Sequence, residues 1–256
     1  MSHQVKPELL NADAIAGALE SGYWRVSILD EIDSTQNYLR TNNPKPGDLI
    51  TAEYQSAGRG RLDRKFIAKK SSALLFSLYL EPKIQIEKLG YLSLLVGASV
   101  AKTLNEITET RLFNCKWPND IVCNERKVAG LLAEKTSSGV IVGVGINVST
   151  SKEELPVAHA SSVLLETGKE VNRNTLLSKI LNDLSGDLAE WESGADLTSH
   201  YRELSATLKR EVQVELPGGE RLNSVALDID ATGALHLDNG RVITVGDVIH
   251  LDSKLT

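Results

Sequence analysis

Two arginines spaced by glycines are the first residues in this chain whose types suggest chemistry. Residues 55–61 read QSAGRGR, and Arg64 follows closely. Glycines allow a tight turn that points backbone N–H groups at an anion, while the guanidinium groups of Arg59 and Arg61 add fixed positive charges suited to phosphate or carboxylate. We interpret the segment as an anion-binding loop; a solvated surface loop is the alternative. No Gly-Lys-Ser/Thr follows, so it is not a Walker-type phosphate loop.

A strand with one bare face is predicted at residues 140–148. Its even positions hold valine or isoleucine, whereas three successive odd positions hold Gly143, Gly145 and Asn147. Because side chains alternate across a strand, one face is bulky and the other is nearly bare backbone, which often indicates that another group approaches closely. We interpret that group as a flat ligand; close packing against a helix is the alternative. Val148 stands where a dinucleotide fingerprint needs its third glycine, so that motif is excluded.

Two lysines lie near this strand in the predicted sheet. Lys127 opens the strand KVAGLLAE, three residues before Gly130. It is either a solvated edge residue or a cation that reaches a ligand anion. Lys116 points away from an apolar face formed by its odd-numbered neighbours Phe113, Cys115 and Trp117.

A third feature is the helix start at Ser34 and Thr35. These residues either cap the helix or offer its N–H groups to a polar ligand.

Composition narrows the class of protein. The chain has 256 residues, 41% hydrophobic and 24% charged, with a formal net charge of −6. These are ordinary globular values, and the negative charge argues against nonspecific binding of nucleic acid. Two cysteines and five scattered histidines predict neither a disulfide scaffold nor a structural zinc site. We find no signal-peptide pattern and no long apolar run, so a cytoplasmic protein without a membrane span is expected.

Periodicity predicts helices and strands in an α+β arrangement. The predicted helices are residues 8–20, 36–40, 88–107, 175–191 and 196–208, and the predicted strands are residues 24–32, 49–55 and 73–80, then three within 111–148. From about residue 211, five short strands alternate with turn signals such as Gly218-Gly219 and Asn239-Gly240. We therefore predict one domain at residues 1–208 and a small β domain at residues 209–256.

Five motifs occur in the order typical of biotin protein ligases, and the chain resembles that family from about residue 24 onward. They are DSTQN at 33–37, EYQSAGRGR at 53–61, KWPND at 116–120, KVAGLL at 127–132 and GVGIN at 143–147. The resemblance implies a catalytic domain like those of class II aminoacyl-tRNA synthetases and biotin synthetases, with a mixed sheet and helices. It also implies that the β-rich tail is an SH3-like barrel.

The resemblance further implies a reaction. ATP activates biotin as biotinyl-5′-AMP, and biotin is then transferred to a lysine of a biotin carboxyl carrier domain. Mg²⁺ arrives with ATP, so no metal ligands are assigned to the protein. Lys127, Arg59 and Arg61 are the implied catalytic residues, because they offset the repulsion between the two anionic substrates.

The implied binding residues form two overlapping sets. For biotin they are Ser34, Thr35, Gln36, Gln55, Gly58, Arg59, Gly60, Arg61, Lys127, Gly130, Gly143 and Gly145. For ATP they are Arg61, Arg64, Phe66, Lys116, Asn119, Lys127 and Asn147.

The chain departs from the family pattern after the second arginine. Leu62 and Asp63 replace a basic stretch, and Phe66 replaces a tryptophan that often packs on adenine, so stacking is expected to weaken. Only 23 residues precede Trp24, too few for the DNA-binding domain of some relatives, so we expect a monofunctional ligase that does not bind DNA. Homodimerisation is left open. The rival functions are a lipoate or octanoate ligase or transferase, a non-enzymatic biotin-sensing regulator, and an inactive binding relative.

Overall fold

A seven-stranded mixed sheet forms the centre of the protein. The structure is a computed structural model that describes residues 8–62 and 64–251. The strands are β1 (Arg25–Leu29), β2 (Asp48–Ala52), β3 (Ala73–Leu80), β4 (Phe113–Lys116), β5 (Asp120–Cys123), β6 (Arg126–Lys135) and β7 (Val140–Asn147). Their order in the sheet is β1-β2-β3-β7-β6-β5-β4, with β1 and β2 parallel and the other pairs antiparallel.

Helices cover this sheet unequally on its two faces. They are α1 (Ala12–Gly17), α2 (Thr35–Thr41), a 3₁₀ helix (Ile86–Tyr91), α3 (Leu92–Thr108), α4 (Val163–Thr167), α5 (Arg173–Glu192) and α6 (Thr198–Glu203). The two long helices, α3 and α5, share the main apolar core with the even positions of β3 and β7. On the opposite face, Leu39 of α2 packs with Ile50, Tyr79 and Ile141. The predicted alternation of bulky and bare faces in β7 is therefore confirmed.

A buried ion pair fastens the start of the described chain to the sheet. Glu53 and Arg173 have side chains that are each 4% exposed, with Oε2 and Nη1 2.8 Å apart. Glu53 also accepts a 2.6 Å hydrogen bond from the backbone N–H of Leu10. Arg173 donates to the carbonyl of Glu8 at 2.8 Å and to that of Ala73 at 3.2 Å. Residues 8–10 are thus hydrogen-bonded to the buried charges.

A second, smaller sheet follows α6. Its strands are β8 (Glu211–Glu215), β9 (Arg221–Ile229), β10 (Leu235–Leu237), β11 (Val242–Ile243) and β12 (Asp247–His250), in the antiparallel order β11-β10-β9-β8-β12. This sheet contacts the first region closely: Trp117 donates from Nε1 to the carbonyl of Gly233 at 3.0 Å. The predicted α+β class, with a small terminal β unit, is confirmed. The domain boundary at residue 208 stays a prediction.

Several predicted element boundaries were wrong. Residues 111–148 hold four strands rather than three, and α4 was not predicted although Ser162 caps it and Gly168 ends it in the left-handed conformation. The predicted helix at 196–208 is helical only at Thr198–Glu203. Its remainder pairs with the edge strand β4, where Cys115 donates to the carbonyl of Leu204 at 2.7 Å and accepts from Ala206 at 2.8 Å. Hydrogen bonding to the sheet edge therefore replaces helix there.

The two other long predicted helices also differ from the structure. The helix predicted at 8–20 is confined to Ala12–Gly17, because its first residues are engaged by Glu53 and Arg173. The helix predicted at 88–107 begins as the 3₁₀ turn Ile86–Tyr91 and becomes α-helical at Leu92.

Candidate active site

A cavity of about 680 Å³ opens on the bare face of β7, between that sheet and the terminal β sheet. Its volume is in the usual range for small-molecule sites. The structure brings sixteen of the seventeen predicted site residues to its wall, and Gly58 is the exception. The sixteen are Ser34, Thr35, Gln36, Gln55, Arg59, Gly60, Arg61, Arg64, Phe66, Lys116, Asn119, Lys127, Gly130, Gly143, Gly145 and Asn147.

The start of α2 supplies a polar corner of this cavity. Ser34 caps the helix by accepting from the N–H of Asn37. The N–H of Thr35 donates to Oε1 of Gln55 at 2.7 Å, and the Thr35 hydroxyl lies 2.8 Å from that of Ser77. Gln36 donates from Nε2 to the carbonyl of Leu132 at 2.9 Å. The corner therefore presents both donors and acceptors in fixed positions, which suits a polar ligand head with both kinds of group.

The two glycines of β7 have different neighbours. A Cβ on Gly145 would lie 2.7 Å from ring atoms of Phe66, so the flat group that covers this glycine in the structure is the phenyl ring of the chain itself. A Cβ on Gly143 would lie 3.2 Å from Oε1 of Gln36 and 3.3 Å from the Ser77 hydroxyl. Because Gly143 and Gly145 have no side chains, the Gly-Arg loop and α2 can approach this face of β7 closely. Ligand contacts at both glycines stay predictions.

The Gly-Arg loop is a compact turn closed by its own backbone. Gly60 donates to the carbonyl of Arg64 at 2.7 Å, and Phe66 donates to that of Gly58 at 3.0 Å. Gly58 is buried, and a Cβ there would lie 2.4 Å from the carbonyl oxygen of Phe66. This tight approach explains why Gly58 lies behind the cavity wall instead of facing a ligand. Leu62 adopts a positive φ of 52°, and the predicted effect of Asp63 falls outside the described residues.

Each arginine of the loop is held by a carboxylate. Arg59 forms a two-pronged contact with Glu134, at 3.0 and 3.1 Å. Arg61 lies 3.3 Å from Asp247 and donates to the carbonyl of Gly246 at 3.2 Å, while Arg64 lies 2.7 Å from the other oxygen of Asp247. Glu134 also contacts Arg40. The loop is therefore attached to β6 on one side and to the terminal β sheet on the other.

The predicted lysines line a part of the cavity formed by β4, β5 and β6, which we call the lysine wall. Nζ of Lys127 is 2.6 Å from Oδ1 of Asp120, across the β5–β6 pair. Lys116 is half-buried; this burial, together with the nearby positive charges of Lys127 and Arg210, holds its pKa below the usual value. A nearby anion would stabilise the charged form of Lys116, because it would offset both the burial and the positive charges around it.

Two asparagines complete this wall. Asn119 donates from Nδ2 to the carbonyl of Leu131 at 2.6 Å and accepts from Arg61 at 3.2 Å. Asn147 donates to the carbonyl of Ser161 at 3.0 Å. Both side chains are fixed by backbone carbonyls, so their positions in an ATP site would not depend on the ligand.

Sequence reasoning missed five charged or titratable residues that contact the predicted ones or line the same cavity. Asp120 could have been found from the sequence, since it ends the KWPND motif. Glu134 could also have been found, since it lies on the strand that Lys127 opens. Glu125 lies in the turn just before Lys127, but nothing local indicated its role, and Asp247 and His250 had no signal because they reach the site through the packing of the terminal sheet. Within residues 8–62 and 64–251, no group of three or more His, Cys, Asp or Glu is arranged to hold a metal ion. No helix in this described part is long and apolar enough to cross a membrane.

Comparisons with known proteins agree with this geometry. Residues 28–151 match the biotin/lipoate A/B protein ligase family. The biotin--[acetyl-CoA-carboxylase] ligase of Mycobacterium tuberculosis is 34% identical over 254 residues, which cover 93% of each chain. The bifunctional ligase/repressor BirA of Escherichia coli is 33% identical over 92% of this chain and 75% of its own length.

A solved structure shows the same fold. The biotin protein ligase from Aquifex aeolicus, in complex with biotin and ATP, has a TM-score of 0.78 at 32% identity and covers 88% of this chain and 97% of its own. This chain belongs to the biotin/lipoate A/B protein ligase family, among its biotin protein ligases.

Proposed function

We propose that the protein is an ATP-dependent biotin protein ligase that attaches biotin to a lysine of a biotin carboxyl carrier domain. A carboxylate oxygen of biotin attacks the α-phosphorus of ATP, and pyrophosphate leaves as the new O–P bond forms. The amine of the acceptor lysine then attacks the acyl carbon of biotinyl-5′-AMP, and AMP leaves. The observation that carries the proposal is one cavity that is lined by a polar helix corner, by the glycines of β7 and by the cations of the Gly-Arg loop and of β4 and β6.

The cations are suited to the first step. Biotin carboxylate and ATP repel each other, and positive groups placed around the reacting atoms reduce that repulsion in the transition state. Arg59, Arg61 and Lys127 are paired with Glu134, Asp247 and Asp120. Substrate anions therefore exchange with protein carboxylates when they bind, and this exchange is part of the catalytic cycle that we propose.

We assign biotin to the polar corner at the start of α2 and ATP to the lysine wall. Ser34, Thr35 and Gln55 bind the ureido end of biotin, with Gln36 and Gly143 beside its ring system. Lys116, Asn119 and Asn147 face ATP, with Phe66 packing against its adenine. Mg²⁺ arrives on the ATP phosphates, and oxygen atoms of Asn119 and Asp120, the kind of ligand it prefers, line the same wall.

The finer predictions about partners are part of this proposal. We propose a cytoplasmic enzyme that does not bind DNA; its overall net charge of −6 argues against nonspecific binding of DNA. Light scattering at several protein concentrations decides between a monomer and a homodimer. A gel-shift assay with biotin and ATP tests the DNA prediction; a specific complex would contradict it.

Transfer of a labelled acid tests the function directly. The chain is incubated with ATP and a carrier domain, and with biotin, lipoic acid or octanoic acid in turn; mass spectrometry then measures the acceptor. We expect the biotinyl mass increment alone, lost when ATP is omitted or when the acceptor lysine is changed to arginine. Transfer of lipoyl or octanoyl groups would support the rival function, and no transfer at all would contradict both.

A further inference from the structure

A hydrogen-bonded relay joins the lysine wall of the cavity to the terminal β sheet. The backbone N–H of Trp117 donates to the hydroxyl of Thr207 at 3.0 Å. That hydroxyl lies 3.2 Å from Nε2 of His250, whose Nδ1 lies 2.9 Å from Oε2 of Glu125. Glu125 in turn accepts from Arg210 at 2.6 Å. The His250 side chain is 1% exposed, so the relay is shielded from solvent at its centre.

The hydrogen-bond partners of His250 indicate which of its ring nitrogens carries the proton. The Glu125 carboxylate can only accept, so Nδ1 of His250 carries a proton, and in the neutral ring Nε2 is left to accept from the Thr207 hydroxyl. The ring then carries its proton on Nδ1, from which it donates to Glu125, because the bond made by one ring nitrogen sets the other. Neutral His250 therefore satisfies both neighbours; burial lowers its pKa, Lys116 and Arg210 act in the same direction, and Glu125 opposes them.

Both ends of the relay lie beside predicted ATP-binding residues. Trp117 stands between Lys116 and the cis peptide to Pro118, and Asn119 follows. Glu125 lies in the two-residue turn between β5 and β6, two positions before Lys127. Glu125 has a positive φ of 67°, a conformation that costs free energy for a residue with a side chain. Its bonds to His250 and Arg210 offset that cost and fix the turn.

We infer that His250 is a positioning residue for ATP, acting through Thr207 and Glu125 on the turns that carry Lys116, Asn119 and Lys127. This inference rests on the proposed function. It assigns the terminal β sheet a defined part in the adenylation step: it keeps the lysine wall at the right distance from the Gly-Arg loop. Biotin binds at the opposite corner, at the start of α2, which the relay does not touch.

Steady-state pyrophosphate exchange with separate titrations of ATP and biotin tests the inference. In His250→Ala and Thr207→Val, we expect the KM for ATP to rise at least about fivefold, since a bond in a buried network is lost, while the KM for biotin stays within about twofold. Thr207→Ser keeps the hydroxyl and His250→Asn keeps a donor for Glu125, so both should stay within about threefold of wild type. His236→Ala, which removes an imidazole bonded to Asp230 in the same sheet, is the matched control and should match wild type.

A second measurement does not depend on activity. Hydrogen exchange of backbone amides at residues 124–127 should be faster in Thr207→Val than in Thr207→Ser, because the change must pass through His250 to reach that turn. An unchanged KM for ATP in folded Thr207→Val, equal rises of both KM values, or exchange altered only at Trp117 would each overturn the inference. If His250→Ala does not fold, Thr207→Val decides. Wild type without biotin-dependent exchange would instead refute the proposed function, and the amide measurement would still test the relay.

Discussion

Asp120 holds the ammonium group of Lys127 at 2.6 Å, from the neighbouring strand and facing the cavity. The same ammonium is 3.0 Å from the place a Cβ would occupy on Gly130, so the lysine side chain lies along bare backbone. The pair brings a positive charge to the wall where we place the triphosphate, and the carboxylate keeps it there while the site is empty.

Removal of the Lys127 charge should slow adenylation. In Lys127→Ala, biotin-dependent pyrophosphate exchange should fall at least about tenfold, because a charge-assisted contact to an anion is worth around 1.5–3 kcal/mol. Lys135→Ala, at the exposed far end of the same strand, is the control and should retain wild-type exchange. Equal rates in both variants would remove Lys127 from the mechanism.

The contact between Gly145 and Phe66 predicts a coupled pair of mutations. Gly145→Ala should lower the free energy of unfolding by about 1–3 kcal/mol, since the new methyl group would overlap the phenyl ring. Phe66→Ala relieves the overlap, so the double variant should lose at least about 0.5 kcal/mol less than the sum of the single changes. Gly143→Ala, whose nearest neighbour is the Gln36 side chain rather than the Phe66 ring, should show no such coupling to Phe66. Urea denaturation of the wild type, the two single variants and the double variant measures this coupling free energy. Additive changes would contradict the packing of Phe66 on Gly145.

Asp247 is predicted to restrain the Gly-Arg loop. Asp247→Asn removes the carboxylate that holds both Arg61 and Arg64. Trypsin should then cleave within residues 59–65 of the ligand-free protein about three to ten times faster, in line with pairs worth on the order of 1 kcal/mol. Asp228→Asn breaks the ion pair with Arg202 elsewhere in the terminal sheet and serves as the control. Mass spectrometry identifies the cut sites, and equal cleavage rates would show that the loop is held by other contacts.

The relay histidine predicts a pH dependence of stability. Burial lowers the pKa of His250 below its ordinary value of 6.5; Lys116 and Arg210 act in the same direction, and the bond to Glu125 opposes them. The unfolded chain therefore binds a proton at a higher pH than the folded protein does. The stabilising contribution is fully present above about pH 6.5 and is lost as the pH falls towards the lowered pKa of the folded state.

Comparison of unfolding at two pH values checks this sign. Between about pH 7.5 and about pH 5.5, wild type should lose more unfolding free energy than His250→Asn, which has no titrating ring. A larger loss in His250→Asn than in wild type would mean that the folded protein favours protonated His250.

Local sequence patterns were sufficient for the elements around the cavity. The alternation in β7 and the cap at Ser34 each depend on neighbours within a few residues, and both were predicted correctly, whereas Gly58 of the Gly-Arg loop lies behind the wall that it was predicted to line. Long-range partners were not predicted: Asp247 is more than 100 residues away from Arg61, as His250 is from Glu125, and no periodicity encodes such a distance. The covering of Gly145 by Phe66 also depends on how the loop folds back on the sheet.

The helix boundaries show the same limit. Residues 204–208 have the composition of a helix end, yet their backbone bonds to Cys115 at the sheet edge. A local pattern reports what a segment prefers in isolation, and here tertiary pairing outweighs that preference.

The buried pair of Glu53 and Arg173 has a consequence for anyone who shortens this protein. Deleting residues 8–11 would remove the backbone groups of Glu8 and Leu10 that bond to two charges inside the core, and each hydrogen bond to a charged group is worth about 1.5–3 kcal/mol. Tags and fusions should therefore be joined ahead of Glu8, because the backbone of this short stretch completes the hydrogen bonding of the interior although most of its side chains are exposed.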